Sequence, residues 1–258
     1  EHQLQSTISQ VVIGRPVNFQ GVNADTANDQ AQRILFEAAK RVGFTDVNFL
    51  FEPLAAGFDF ETRLTEDKRV LVVDVGGGTT DCSMVLMGPS HRHQIDRSAD
   101  FLAHTGERIG GNDFDIQLAQ KALMPEFGML SPLKTDLPMP LMPFVNAMAI
   151  NDLCAQSEFY DKNTSALLER LLRDTQEPLL LKRFITMRDN KQNFAVVREA
   201  EKAKIILSER STHTVNLEFI ERELGIDVTA EDYTAMVNAL LQQISALVKE
   251  ASLQADTI

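Results

Sequence analysis

Residues 69–84 read RVLVVDVGGGTTDCSM. Val70, Leu71, Val72 and Val73 form a short apolar run, rich in β-branched residues, which predicts a buried strand. Asp74 closes that strand. Gly76, Gly77 and Gly78 then predict a turn that other residue types would tolerate less well. Cys82 to Leu86 predicts a second strand. Strand, glycine turn, strand excludes a P-loop and a dinucleotide fingerprint, because both need a helix after the glycines.

The same residues suit phosphate chemistry. With no Cβ in the way, the backbone N–H groups of Gly76, Gly77 and Gly78 can approach an anion closely. Successive N–H groups facing one way form a nest for phosphate oxygens. Asp74, at the carboxyl end of a strand, is placed to hold a hydrated Mg²⁺, which binds through one or two carboxylates and the substrate phosphates. Thr79 and Thr80 can hydrogen-bond a terminal phosphate or an attacking water. The plain alternative is a glycine-rich hairpin turn flanked by solvated acids.

DVGGGTTD, residues 74–81, resembles the second phosphate loop of the actin-like ATPase superfamily. Actin, the DnaK-type heat-shock chaperones, the filament protein MreB and the sugar kinases share that loop. The resemblance implies an α/β chain with the actin-like ATPase, or ribonuclease H-like, fold.

Composition sets outer bounds. The chain has 258 residues, enough for a sizeable core in one large domain or two lobes. Its hydrophobic fraction of 44% and charged fraction of 24% are those of an ordinary globular protein. A net charge of −12 argues against nucleic acid or an anionic membrane as the main partner. The amino terminus, EHQLQSTISQ, has neither the basic region nor the apolar region of a signal peptide. Cys82 and Cys154 lack metal-binding spacing, which fits reduced thiols in a cytoplasmic protein.

Before the glycine turn, the sequence predicts a strand at Val11–Ile13, an amphipathic helix from Ala24 to Arg41 and a strand at Val47–Phe51. VVIGRPVNF, the helix and then FLFEPLAAGFDF (residues 49–60) are similar to the DnaK-type pattern that ends in N-E-P-T-A-A-A. The resemblance implies that Glu52 helps position a catalytic water. Phe51 and Leu54 depart from that pattern, and Glu52 could equally be an acid suited to the start of a helix.

After the turn, residues 88–99 read as a polar loop, in which His91 and His93 lack a third metal ligand nearby. GERIGGNDFDIQLA (106–119) resembles the DnaK-type G-D-T-H-L-G-G-E-D-F-D. By that resemblance Gly110 and Gly111 pack close to the nucleotide, while Asp113 and Asp115 cap the helix that follows. Prolines at 125, 132, 138, 140 and 143 forbid a long helix through residues 123–144. That stretch is expected to be ordered but irregular, and a partner surface there stays open. Helices are expected over Val145–Tyr160, Ala166–Asp174, Glu177–Met187 and Phe194–Arg210, then a β-hairpin arm over Thr212–Glu223. A long helix capped by Thr229 should run from Ala230 to Ala255.

REAEKAKIILS (198–208) is similar to the DnaK-type adenosine helix. By position Glu201 and Lys204 would meet the ribose hydroxyls and Ser208 the adenine edge. An ordinary solvated helix face explains the same residues equally well. Ile205 stands where the family has an arginine that stacks on adenine. That removes a contact worth roughly 0.5–2 kcal/mol.

Together the motifs resemble a DnaK-type chaperone ATPase domain, like the divergent bacterial YegD-like chaperones. The resemblance implies a partial fold. Residues 1–65 would be the remnant of the first lobe's core, and 66–111 the first part of the second lobe's core. Residues 112–229 would be its outer helical subdomain, with an insertion at 123–187, and 230–258 the return helix. No first phosphate loop and no C-terminal adenosine loop is readable, so the chain is expected to be a fragment that binds nucleotide weakly and does not turn it over. In the intact protein the implied cofactors are ATP or ADP with Mg²⁺. The implied partners are unfolded client proteins and co-chaperones, with hydrolysis driving lobe motion. A filament-forming ATPase like MreB, a sugar kinase and a non-hydrolysing nucleotide-sensing scaffold are the alternatives.

Overall fold

β3 (Lys68–Val75) and β4 (Thr80–Met87) are the strands on either side of the glycines, paired antiparallel from Lys68↔Met87 to Val75↔Thr80. β5 (Phe101–Glu107) adds to the other side of β4, with a register shift at Met84/Val85. A computed structural model describes residues 8–17 and 24–256. They divide into two units. The first comprises the described residues up to Val75, Thr80–Glu107 and those from Ser245 onward; the second comprises Gly76–Thr79 and Arg108–Ile244.

In the first unit, β1 (Gln10–Arg15) pairs in parallel with β2 (Asp46–Phe51), and α1 (Ala24–Arg41) connects them. α2 (Glu52–Thr62) follows directly, with Pro53 in its first turn, where a missing N–H costs nothing. β4 is the buried strand of the three-stranded sheet. Val85 and Met87 pack with Leu54 of α2 on one face. On the other, Cys82 packs against Leu247 and Ala251 in the last turns of α9 (Ala230–Asp256). The expectation of a buried β3 is corrected. β3 is an edge strand; Val70–Val72 are half-buried, while Val73 and Val75 are 42% and 50% exposed. An unbroken apolar run signals two covered faces, but burial also depends on neighbours that the run does not encode.

The second unit is mostly helical. It contains α3 (Gly111–Leu118), which widens into a π-helical turn at Ala119–Leu123, and then α4 (Met142–Met148) and α5 (Leu153–Phe159). α6 (Lys162–Asp174), α7 (Pro178–Asp189) and α8 (Asn193–Leu207) follow. Phe127, Phe144, Phe159 and Phe184 are fully buried in its core, with the Phe144 and Phe184 rings 4.2 Å apart. The proline-rich stretch behaves as expected. It is irregular, closes on itself through a Pro132–Pro138 bridge, and turns at Gly128, whose φ of +92° suits glycine.

Several element boundaries differ from expectation, among them the start of α6, at Lys162 rather than Ala166. The single helix foreseen over Val145–Tyr160 is two, because Asp152 accepts from Cys154 N (2.8 Å) and Ala155 N (3.1 Å) and caps a fresh start. The hairpin runs further than Glu223. β6 (Thr212–Asn216) pairs with β7 (Gly225–Thr229), and the intervening turn places Glu223 at φ 63°. The cap foreseen at Thr229 is present, its Oγ1 accepting from Asp232 N at 3.0 Å. Among the described residues no helix is long and apolar enough to cross a membrane.

Candidate functional site

In the second unit, the Gly76 N–H donates to Thr79 O at 2.8 Å and closes the turn. Gly76 O and Gly77 O accept from Gly111 N and Asn112 N, each at 2.8 Å. The turn is therefore seated on the first residues of α3. The conformational demand expected for glycine in the turn is not met. None of Gly76, Gly77 and Gly78 has a positive φ, and a Cβ on Gly78 would meet nothing within 4 Å. The steric demand falls on Gly110 instead, where a Cβ would lie 2.5 Å from Gly77 C and Gly78 N. Gly77, Gly78 and Thr79 are exposed. A groove of about 670 Å³ beside them is lined by Gly78, Arg108, Asn112, Asp113, Asn151 and Cys154.

Asp113 caps α3 as foreseen, accepting from Gly110 N at 2.8 Å. Asp115 does not. It is 4% exposed, inside α3, with Lys204 Nζ 2.7 Å from its Oδ1. Burial pushes its carboxyl above the usual range, and Lys204 pulls the other way. Lys204 also donates to Gly111 O at 3.1 Å. Glu201 and Ser208 are exposed on α8 or at its end, and Ile205, between them on the same face, is 59% exposed. The Ser208 hydroxyl donates back to Ile205 O at 2.6 Å.

In the first unit, Asp74 and Asp81 face each other in the β3–β4 register, and Glu52 opens α2. Burial raises the Glu52 pKa, and the charges of Asp74 and then Asp81 raise it further. Carboxylates that repel one another in this way suit a shared cation. Among the described residues no group of three or more His, Cys, Asp or Glu side chains is placed to hold a metal ion. Glu52 also lies along β1, where a Cβ on Gly14 would sit 3.4 Å from its Cγ.

Asp81 Oδ1 leaves no room for a side chain at Gly106, where a Cβ would be 2.6 Å away. It is 3.6 Å from His104 Nε2, and His104 Nδ1 is 3.0 Å from Ser83 Oγ. A lone histidine in a strand gives no sequence signal, and His104 could not have been singled out. His91 Nδ1 is 2.7 Å from Asp100 Oδ1. Both cysteines are free, Cys82 buried and Cys154 exposed.

A family model described as Hsp70 protein matches residues 1–133. The chain is 26% identical over 180 residues to the chaperone protein HscA homolog of Rickettsia prowazekii, covering 70% of this chain and 26% of that protein. It is 31% identical over 120 residues to the HscA homolog of Rickettsia typhi, covering 46% of this chain and 18% of the relative. To the chaperone protein dnaK of Emiliania huxleyi it is 31% identical over 118 residues, covering 45% and 16%. The chain thus spans about a quarter or less of the curated relatives it matches. These matches favour the chaperone branch over the filament proteins.

Proposed function

This chain belongs to the Hsp70 family, and from that premise we propose that it supplies part of the nucleotide-handling core of an ATP-dependent chaperone. Gly76, Gly77, Gly78 and Thr79 bind phosphate oxygens, with Gly110 and Gly111 as the floor on which the turn rests. Asp74 holds the water shell of Mg²⁺, whose charge offsets that of the phosphates. Glu52 orients the attacking water, and its raised pKa keeps it close to a base that can accept a proton. Glu201, Lys204 and Ser208 are assigned to the nucleoside side. Residues 1–65 belong to the first lobe and 66–258 to the second, each an incomplete part of an actin-like ATPase fold. In the intact protein, hydrolysis of ATP in the cytoplasm drives a conformational change that clients and co-chaperones read.

What supports the reading is the fit of Gly110 against Gly77 and Gly78, which holds an exposed glycine turn in one conformation without closing it off. A preorganised backbone of this kind is what phosphate binding asks for. The test is steady-state ATP hydrolysis by the intact protein beside Glu52→Ala and Asp74→Ala. Each substitution is expected to lower the rate by about a hundredfold. Unchanged rates would remove these residues from the site.

A further inference from the structure

Lys204 reaches the glycine turn through a single peptide plane. The carbonyl of Gly111 accepts from Lys204 Nζ at 3.1 Å. The N–H of that same peptide, on Asn112, donates to Gly77 O at 2.8 Å. One plane away, Gly111 N donates to Gly76 O at 2.8 Å. A cation on the carbonyl oxygen polarises the peptide and strengthens the hydrogen bond made by its N–H. The ammonium is itself fixed by the buried Asp115 carboxylate, 2.7 Å away. Beyond that charge contact, Asp115 Oδ1 has no hydrogen-bond partner. Lys204 is therefore held on the α3 side of α8, whereas Glu201 and Ile205 on the same helix are exposed.

We propose that Lys204 is a positioning residue for the glycine turn. Through the Gly111–Asn112 peptide it sets the seat of Gly76 and Gly77 and so tunes affinity for phosphate, rather than gripping a ribose. The proposal rests on the nucleotide reading above and changes what Lys204 does within it.

The experiment compares the intact protein with Lys204→Met and Lys204→Arg, titrated with Mg-ATP, Mg-tripolyphosphate and adenosine. Tripolyphosphate has no ribose and adenosine has no phosphate. In Lys204→Met, Mg-ATP and Mg-tripolyphosphate are expected to weaken by the same factor, about tenfold, with adenosine unchanged. Lys204→Arg, which keeps a cationic donor, should restore both. Weaker adenosine with unchanged tripolyphosphate would make Lys204 a ribose ligand and overturn the proposal. Backbone amide exchange supplies a readout without ligand. Gly111 and Asn112 should exchange faster in Lys204→Met and return to the original rate in Lys204→Arg, and unchanged exchange also overturns the proposal. A parent protein that binds none of the three ligands would sink the nucleotide reading, whatever the exchange shows. If Lys204→Met fails to fold, Lys204→Met/Asp115→Leu removes both charges of the pair and carries the same expectations.

Discussion

A methyl group on Gly110 would occupy space that Gly77 and Gly78 already fill, at 2.5 Å from backbone atoms that cannot swing aside. Gly110→Ala should therefore displace the turn. Overpacking of this kind costs about 1–3 kcal/mol, and the loss should appear mainly in nucleotide affinity, because the turn is exposed while the core of the unit lies elsewhere. Calorimetry of Mg-ATP binding, with thermal unfolding as the control, checks this. Gly78→Ala, where the added Cβ meets nothing within 4 Å, should leave the fold intact. The motif marked the glycines, but it could not say which of them is under steric demand. That depends on how residues 33 positions apart in sequence meet, and no local pattern encodes it. The pairing of Asp115 with Lys204 is hidden for the same reason. A helix-start acid and a solvated lysine are ordinary readings until α3 and α8 are brought together.

The elements were largely legible, because helices with strong caps and strands with β-branched runs announce themselves locally. α1 and the strands flanking the glycines fall where periodicity put them. What was not legible is a buried ionic clasp that ties α2 to the loop between β4 and β5. Arg97 donates to Glu61 at 3.0 and 3.2 Å, bonds Asp100 through its Nε, and donates to Leu86 O at 3.0 Å. Glu61 Oε1 also accepts from Gly88 N at 3.0 Å. All three charged side chains are almost fully buried. Their residues sit in stretches whose composition reads as exposed helix end and polar loop. Arg97→Met leaves the buried Glu61 without its cation and Asp100 with only His91, and should cost about 3–5 kcal/mol, measured by urea denaturation. A loss below about 1 kcal/mol, the scale of an exposed pair, would show that water reaches the clasp.

Across the whole molecule, stability should depend on pH through His104. Burial lowers its pKa below the ordinary 6.5, with Asp81 partly offsetting. Below pH 6.5 the unfolded chain then binds more protons at this residue than the folded one. The contribution is present above that value and is lost as pH falls. Glu52 and Asp115 act with the opposite sign. Their folded pKa values are raised above 4.5 and 3.8, so each favours the folded state more as pH falls towards those values. The informative quantity is the difference between the parent protein and His104→Gln. The variant should lose less stability between pH 7 and pH 5, and an identical slope would contradict the assigned burial effect.

Sequence carried the family at this scale because its motifs recur in order along the chain, each within a local window. It could not carry the division into two units, whose boundaries fall on either side of the glycine turn and inside α9. The central claim is that DVGGGTTD binds the phosphates of a nucleotide with Mg²⁺ beside Asp74. Its most direct test is equilibrium titration of the intact protein with ADP, with and without Mg²⁺, beside Asp74→Ala. The parent should bind ADP at least about tenfold more tightly with Mg²⁺, and Asp74→Ala should lose that gain. Equal affinity with and without Mg²⁺, unaltered by the substitution, would contradict the claim.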